Sequence, residues 1–317
     1  MMAEEANQEA SFKPSLPLLA TGGDNPLVPL LLSMEGCATE EEMNGNVEAT
    51  LARGYTPINE YLDAYSGSVS IVGAAPSIRN TYMELQGDVM TCNSALGFLL
   101  ERGIVPKFHM MWDAHQLVST FAIPHPDITY LVGARCHPDV FKRLEGCKVV
   151  AWHAGGDHNI SEFLGKRGIN EPMIIGGSAA VTRAMYLVYA LGYRDLHIFG
   201  ADSSYSEEGD THVNGSVVPE KDMRVWVGNG EGNKCFRTTP EWCAQIEEFK
   251  MIYQNFHNYC GAQIHVYGDG MLQHVARIMA TFKIPQDEYL KQFEKDGVTP
   301  EFQPITAQTL EAQYARV

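Results

Sequence analysis

From Ser68 onward, short β-rich runs alternate with helical segments, and this rhythm constrains the fold more than any other feature of the chain. The runs predicted as strands are residues 69–73, 88–92, 108–113, 128–133, 148–152, 173–175, 196–200 and 263–267. Helices are predicted between several of them, over residues 94–102, 138–144 and 178–191. A parallel neighbour is reached only through a crossover, usually helical, so the pattern predicts an α/β fold with a mainly parallel sheet and helices on both faces. The clearest single element is a helix over 240–260, with Thr239 as cap, Pro240 in its first turn and Gly261 at its exit. Trp242, Ile246, Phe249, Tyr253, Phe256 and Cys260 recur there at steps of three and four, which marks a core-facing stripe.

This reading divides the chain into a tail and N-terminal extension (1–45), a helical lead-in (46–67), one main domain (68–284) and a C-terminal helix and tail (285–317). Inside the main domain, residues 203–239 are glycine-rich and lack helical spacing. They are expected to form a lid-like insertion, with 225–227 and 234–237 pairing as a hairpin. Acidic residues outnumber basic ones 39 to 23, a net charge of −16 that disfavours nucleic acid as a partner. Seven cysteines without a CxxC pair point to reduced thiols rather than a disulfide framework or zinc knuckle. Residues 1–14 are polar and acidic, and the apolar stretch 173–193 is broken by Gly176, Gly177, Ser178 and Arg183. Neither an export signal nor a membrane span is expected, and the chain reads as cytoplasmic.

In open parallel sheets, ligands bind beyond the carboxyl ends of the strands, so the residues just after each run are the candidates. Gly73, Ala74, Ala75, Pro76 and Ser77 follow the first run. Small residues there let amides approach a phosphate, although a plain tight turn with Pro76 opening a helix fits equally. The second run closes on Asn93 and Ser94, which can bond a phosphate or base edge. The GxGxxG turn and ribose-gripping carboxylate of a dehydrogenase are missing. Asp113 ends the third run, as a base, a hydroxyl-orienting group or a helix cap; a metal trio with His109 and His115 is the remote reading. Gly176, Gly177 and Ser178 open an apolar helix, either as an anion cradle or to permit close packing. Asp202, Tyr205 and His212 form the last group, with His212 suited to proton transfer and Tyr205 to a departing phosphate.

Five ordered segments carry a resemblance: VGAAPSI (72–78), CNSALGFLLERGIVP (92–106), MMWDAH (110–115), IGGSAAVTRAMYLVYALGY (175–193) and FGADSSYSEEGDTHVNG (199–215). Over residues 68–270 the chain resembles the DUF115, or 6-hydroxymethylpterin diphosphokinase-like, family. Its relatives include motility-associated flagellin glycosyltransferases and, more distantly, bacterial CMP-sialate sialyltransferases. One departure is visible: Ala74-Ala75 stands where the family usually carries a glycine-containing pair.

The resemblance implies a Rossmann-like fold and a nucleotide-activated donor bound across the first turn, Asn93, Ser94, the 176–178 helix start and Asp202. The resemblance leaves open which bond breaks. Because no DxD occurs and the candidates offer only two strand-end carboxylates, Asp113 and Asp202, a glycosyltransferase is expected, moving a sugar from a CMP- or UDP-type nucleotide sugar, with His212 as base, Tyr205 near the leaving group and Asp113 near the acceptor. No metal ligand set is expected in that case. The alternatives are ATP diphosphoryl transfer to a hydroxymethylpterin, which brings in Mg²⁺, and a non-catalytic nucleotide-binding protein. The acceptor is left open, as is homo-oligomerisation.

Overall fold

A computed structural model describes residues 38–155, 160–215, 223–228, 234–258 and 260–281. The expected N-terminal tail before residue 38 and the C-terminal helix and tail (285–317) lie outside the described residues, as do 216–222 and 229–233 of the insertion.

The strands are β1 (Thr56–Pro57), β2 (Ser68–Val72), β3 (Asp88–Cys92), β4 (Phe108–Met111), β5 (Thr129–Gly133), β6 (Lys148–Gly155), β7 (Met173–Ile175), β8 (Asp195–Phe199), β9 (Met223–Val227), β10 (Lys234–Thr238) and β11 (Gln263–Val266). Nine of them form one sheet in the order β1-β6-β5-β4-β3-β2-β8-β11, with β7 added on β6. Every pairing in this sheet is parallel. β9 and β10 form a separate antiparallel hairpin.

The helices are α1 (Glu40–Arg53), α2 (Ile78–Thr81), α3 (Ala95–Leu100), α4 (Pro138–Arg143), α5 (Ile160–Gly165), α6 (Ala180–Leu191), α7 (Pro240–Asn258) and α8 (Met271–Thr281). None of the described helices is long and apolar enough to cross a membrane.

Side-chain alternation along the strands separates two apolar cores. Val69, Ile71, Met90, Phe108, Met110 and Leu131 face the layer built by α6, α7 and α8. Val72, Met111, Tyr130 and Val132 face the opposite layer, built with α3 and α4. Buried on both sides, the central strands read as continuous apolar runs, which is why they were visible in the sequence.

The lead-in helix starts at Glu40, six residues before the expected Asn46. Thr39 and Glu42 close a reciprocal capping box, so the T-x-x-E pattern sets its first turn. Asn46 and Thr50 then tie α1 to the carbonyls of Ala114, Arg135 and Ala134. β6 runs three residues beyond its expected end because His153–Gly155 pairs with β7. In α7 the buried stripe is Ile246, Phe249, Ile252 and Phe256, and Thr239 Oγ1 accepts the Trp242 amide at its start.

Candidate functional site

The chain order reverses between β2 and β8: β2 leads outward through β3, β4, β5 and β6, and β8 leads to β11 on the other side. A crevice beyond the carboxyl ends of the strands at such a reversal is where open α/β sheets take their ligands. A cavity of about 200 Å³ lies there. Its walls come from the exits of β2 (Gly73, Ala74, Ala75), β3 (Asn93, Ser94) and β8 (Gly200–Ser204), from the first turn of α6, and from Thr211, His212 and α7.

Asn93 is the sharpest feature of this cavity. Its backbone is left-handed (φ 46°), as is that of Ser203 (φ 49°), and both line the cavity. Left-handed backbone at a non-glycine residue costs about 1 kcal/mol, so the surrounding contacts impose it. For Ser203 one such contact is Thr238 Oγ1, which donates to its carbonyl at 2.8 Å. The Asn93 amide proton goes to the Met110 carbonyl at 3.2 Å, whereas its Oδ1 is buried without a hydrogen-bond partner. A stranded acceptor in a pocket wall is a site for a ligand N–H or O–H.

The turn after β2 is not an open amide cradle. The Gly73 amide donates to Phe199 O (2.9 Å), that of Ala75 to Gly200 O (3.0 Å) and that of Ser77 to Asp202 Oδ2 (2.9 Å). These amides lace the β2 exit to the β8 exit, so Gly73, Ala74 and Ala75 contribute walls rather than a phosphate grip. A Cβ on Gly73 would strike Gly200 O, and one on Gly200 would strike Gly73 O, so both positions exclude larger residues. Pro76 and Ser77 lie outside the cavity lining. Asp202 lines it, yet its carboxylate is engaged by the Ser77 amide and hydroxyl and by Gln273 Nε2 (2.9 Å). Burial raises the pKa of Asp202 against the pull of those bonds.

The expected cradle at Gly176–Ser178 is likewise filled from within. Glu248 on α7 accepts the Ser178 amide (2.7 Å), the Ser178 hydroxyl (2.8 Å) and the Thr182 hydroxyl (3.0 Å). Gly176 and Gly177 have φ of 95° and 80°, and side chains there would strike the Tyr186 ring and the Arg183 backbone. Close packing is therefore what the glycine pair serves. The cavity is instead reached one step on, by Ala179–Thr182.

His212 stands at the rim. Arg79 of α2 holds this segment, donating to Val213 O (2.8 Å) and His212 O (3.3 Å) while pairing with Asp210 (2.7 Å). The Val213 amide donates to Ala74 O at 2.7 Å. His212 Nδ1 lies 3.0 Å from Thr211 Oγ1. Desolvation by neighbouring protein lowers the pKa of this ring, so it is neutral at pH 7. With Nδ1 donating to Thr211, the Nε2 lone pair is available as a base.

Two expected catalytic residues are placed elsewhere. Tyr205 is buried outside the lining, with Arg237 over its ring (4.4 Å) and Trp242 edge-on to it (5.2 Å); Trp242 is the one of the pair that meets the cavity. Asp113 accepts the His115 amide (3.0 Å) and braces the turn after β4, also outside the lining. The metal trio does not assemble: His109 is fully buried on Thr91 Oγ1 (2.9 Å), its pKa pushed down by desolvation to about 3, and His115 Nδ1 accepts the Leu117 amide.

Sequence reasoning missed Trp242, Gln245 and Phe249, which line the cavity at helical steps of three and four on α7. The same spacing that marked a core stripe also marks this wall. Asp202 is the one carboxylate among the described lining residues, and its oxygens are occupied. This donor set does not fit Mg²⁺, which needs free carboxylate oxygen.

Comparison with known proteins adds three findings. No curated protein matches the chain. Among solved structures, the MAf glycosyltransferase from Magnetospirillum magneticum AMB-1 is similar, with a TM-score of 0.51 at 17% identity, over 76% of this chain and 41% of that one. The likeness is one of fold, and this chain spans about two fifths of the length of that protein. Residues 45–208, just over half of the chain, match the family described as 6-hydroxymethylpterin diphosphokinase MptE-like. The reversal-point cavity after β2, β3 and β8 falls largely within that match, and the chain belongs to the 6-hydroxymethylpterin diphosphokinase MptE-like family.

Proposed function

We propose that this chain is a glycosyltransferase that moves a sugar from a CMP- or UDP-type nucleotide donor to an acceptor hydroxyl. The observation that carries the reading is Asn93, held left-handed in the cavity wall with a buried, unpartnered Oδ1. That acceptor suits an exocyclic amine of a base or a hydroxyl of a sugar. The first turn of α6 also lines the cavity, one step beyond the Ser178 amide that Glu248 holds, so a leaving phosphate there would meet the positive end of the helix with that carboxylate as its competitor. His212 takes the proton from the acceptor hydroxyl as the new glycosidic bond forms and the bond to the nucleotide phosphate breaks. Trp242 and Phe249 offer apolar surface against which a base or sugar ring packs.

The donor set around Asp202 supports a metal-independent transfer over diphosphoryl transfer. The family description motivates the competing reading, a diphosphokinase forming AMP from ATP. The test is a thermal-shift panel of CMP, UDP, GDP and ATP, each with and without Mg²⁺, followed by nucleotide release from the matching sugar donors. A shift with CMP or UDP that ignores Mg²⁺ supports glycosyl transfer. Mg²⁺-dependent stabilisation by ATP with AMP formation abolished by chelator overturns it in favour of the diphosphokinase. Binding without turnover across the panel points to a non-catalytic nucleotide-binding protein.

A further inference from the structure

Near the start of β8 and beside it on β11, outside the cavity lining, three metal-ligating side chains meet. Asp195 opens β8, and His197 follows two residues later on the same face. His265 of β11 lies in register beside His197. Parallel pairing stacks the two imidazoles, with centroids 4.7 Å apart and planes at 16°. One ligand atom from each of the three residues lies within 4.8 Å of the others. Asp195 Oδ2 is 3.3 Å from His197 Nε2, and Asp195 Oδ1 is 3.2 Å from His265 Nε2. Tetrahedral Zn²⁺ with bonds of about 2.0–2.1 Å sets its ligand atoms about 3.3 Å apart. Each histidine already lies at that distance from one of the two Asp195 oxygens, and the three ligand atoms, within 4.8 Å of one another, need only draw inward to share one ion.

The surroundings fit ligation better than a plain ion pair. His197 is 4% exposed, and its Nε2 is buried without a hydrogen-bond partner, as is Asp195 Oδ1. His197 Nδ1 is 2.8 Å from Tyr267 Oη, which itself accepts from Gln86 Nε2 at 3.1 Å. The Tyr267 contact suits either tautomer of His197: with Nε2–H the ring pairs with Asp195, and with Nδ1–H donating to Tyr267 the Nε2 lone pair faces the carboxylate, the arrangement that a shared cation reconciles. An oxygen partner on the second ring nitrogen is how proteins orient ligating histidines. Ser68 Oγ donates to Asp195 Oδ2 at 2.9 Å and orients the carboxylate in the same way.

We propose that Asp195, His197 and His265 form a divalent transition-metal site, suited to Zn²⁺, that pins the edge strand β11 to β8. Two imidazoles and one carboxylate favour Zn²⁺ or Co²⁺ over Mg²⁺ or Ca²⁺. His265 is half exposed, which leaves the remaining coordination positions open to water.

The test uses the full chain, stripped with a chelator that is then removed, and titrated with Co²⁺ and Zn²⁺. The expected result is one equivalent bound, visible d–d absorption of nitrogen- and oxygen-ligated Co²⁺ without a thiolate band, and a rise in Tm with Zn²⁺. His265→Ala, at an exposed position, keeps the fold by circular dichroism and loses at least about tenfold in Zn²⁺ affinity along with the Tm rise. Asp195→Asn gives the same losses and covers the case in which His265→Ala fails to fold. Zn²⁺ affinity unchanged in both variants, a thiolate spectrum in the wild type, or no binding at all overturns the site.

Discussion

The carboxylate of Glu248 accepts both the amide and the hydroxyl of Ser178, at 2.7 and 2.8 Å, and so binds α7 to the start of α6. It occupies the place where the glycine-rich sequence invites an external anion. Glu248→Ala should lower stability by about 1 kcal/mol, measured by urea denaturation, since an anionic helix-start contact is worth about that much. The same change should strengthen binding of UDP or CMP by baring the α6 start, read by calorimetry. Weaker binding would place the donor phosphates elsewhere.

Asn93 separates stability from function. Asn93→Gly removes the left-handed penalty, so the variant should be as stable as the wild type or more stable by up to about 1 kcal/mol. Nucleotide affinity should fall about tenfold, because the buried acceptor goes with the side chain. If affinity is unchanged, Asn93 has no part in binding.

His212 sets a pH limb. Its folded pKa lies below the ordinary 6.5, so the base form predominates at pH 7 and kcat/KM should fall as pH drops through that depressed value. His212→Ala should reduce kcat about 100–10,000-fold and abolish that limb. Turnover near the wild-type level in the variant would assign the base elsewhere.

Asp202 should leave a mark on stability rather than on turnover. Its folded pKa is raised, so the native state binds the proton more tightly than the unfolded chain does. Stability is then greatest at low pH with respect to this group, and declines as pH rises from the unfolded value near 3.8 through the folded one. Asp202→Asn should flatten that decline in a series of denaturation curves. Asp202→Ala, which strands the Ser77 amide and hydroxyl and the Gln273 amide, should cost about 3 kcal/mol.

The sheet was legible because its strands are buried on both faces and therefore apolar along their whole length. β3 and β7 match their expected bounds, the other expected strands differ by up to three residues at an end, and the two-residue β1 was not expected. Convergence of Gly73, Asn93, Asp202 and His212 followed from their places after the strands. What the residues hid was competition. Ser77 and Ser178 carry the right donors, but Asp202 and Glu248, respectively 125 and 70 positions away, claim them. Local spacing carries no information about partners that distant. Tyr205 was misplaced for a similar reason: Trp242, from a helix read as core, stands nearer the cavity. The start of α1 was legible and overlooked, since Thr39 and Glu42 form a recognisable capping pair.

The reciprocal contact of Gly73 with Gly200 has a mechanical meaning. Each backbone is pressed against the carbonyl of the other, and the amides of Gly73 and Ala75 stitch the same two strand exits together. The floor of the crevice therefore behaves as one stiff plate, unable to part at its seam without breaking several bonds at once. Differences in the shape of a guest are then met by side chains on the facing wall, Trp242 and Gln245 of α7, rather than by the floor.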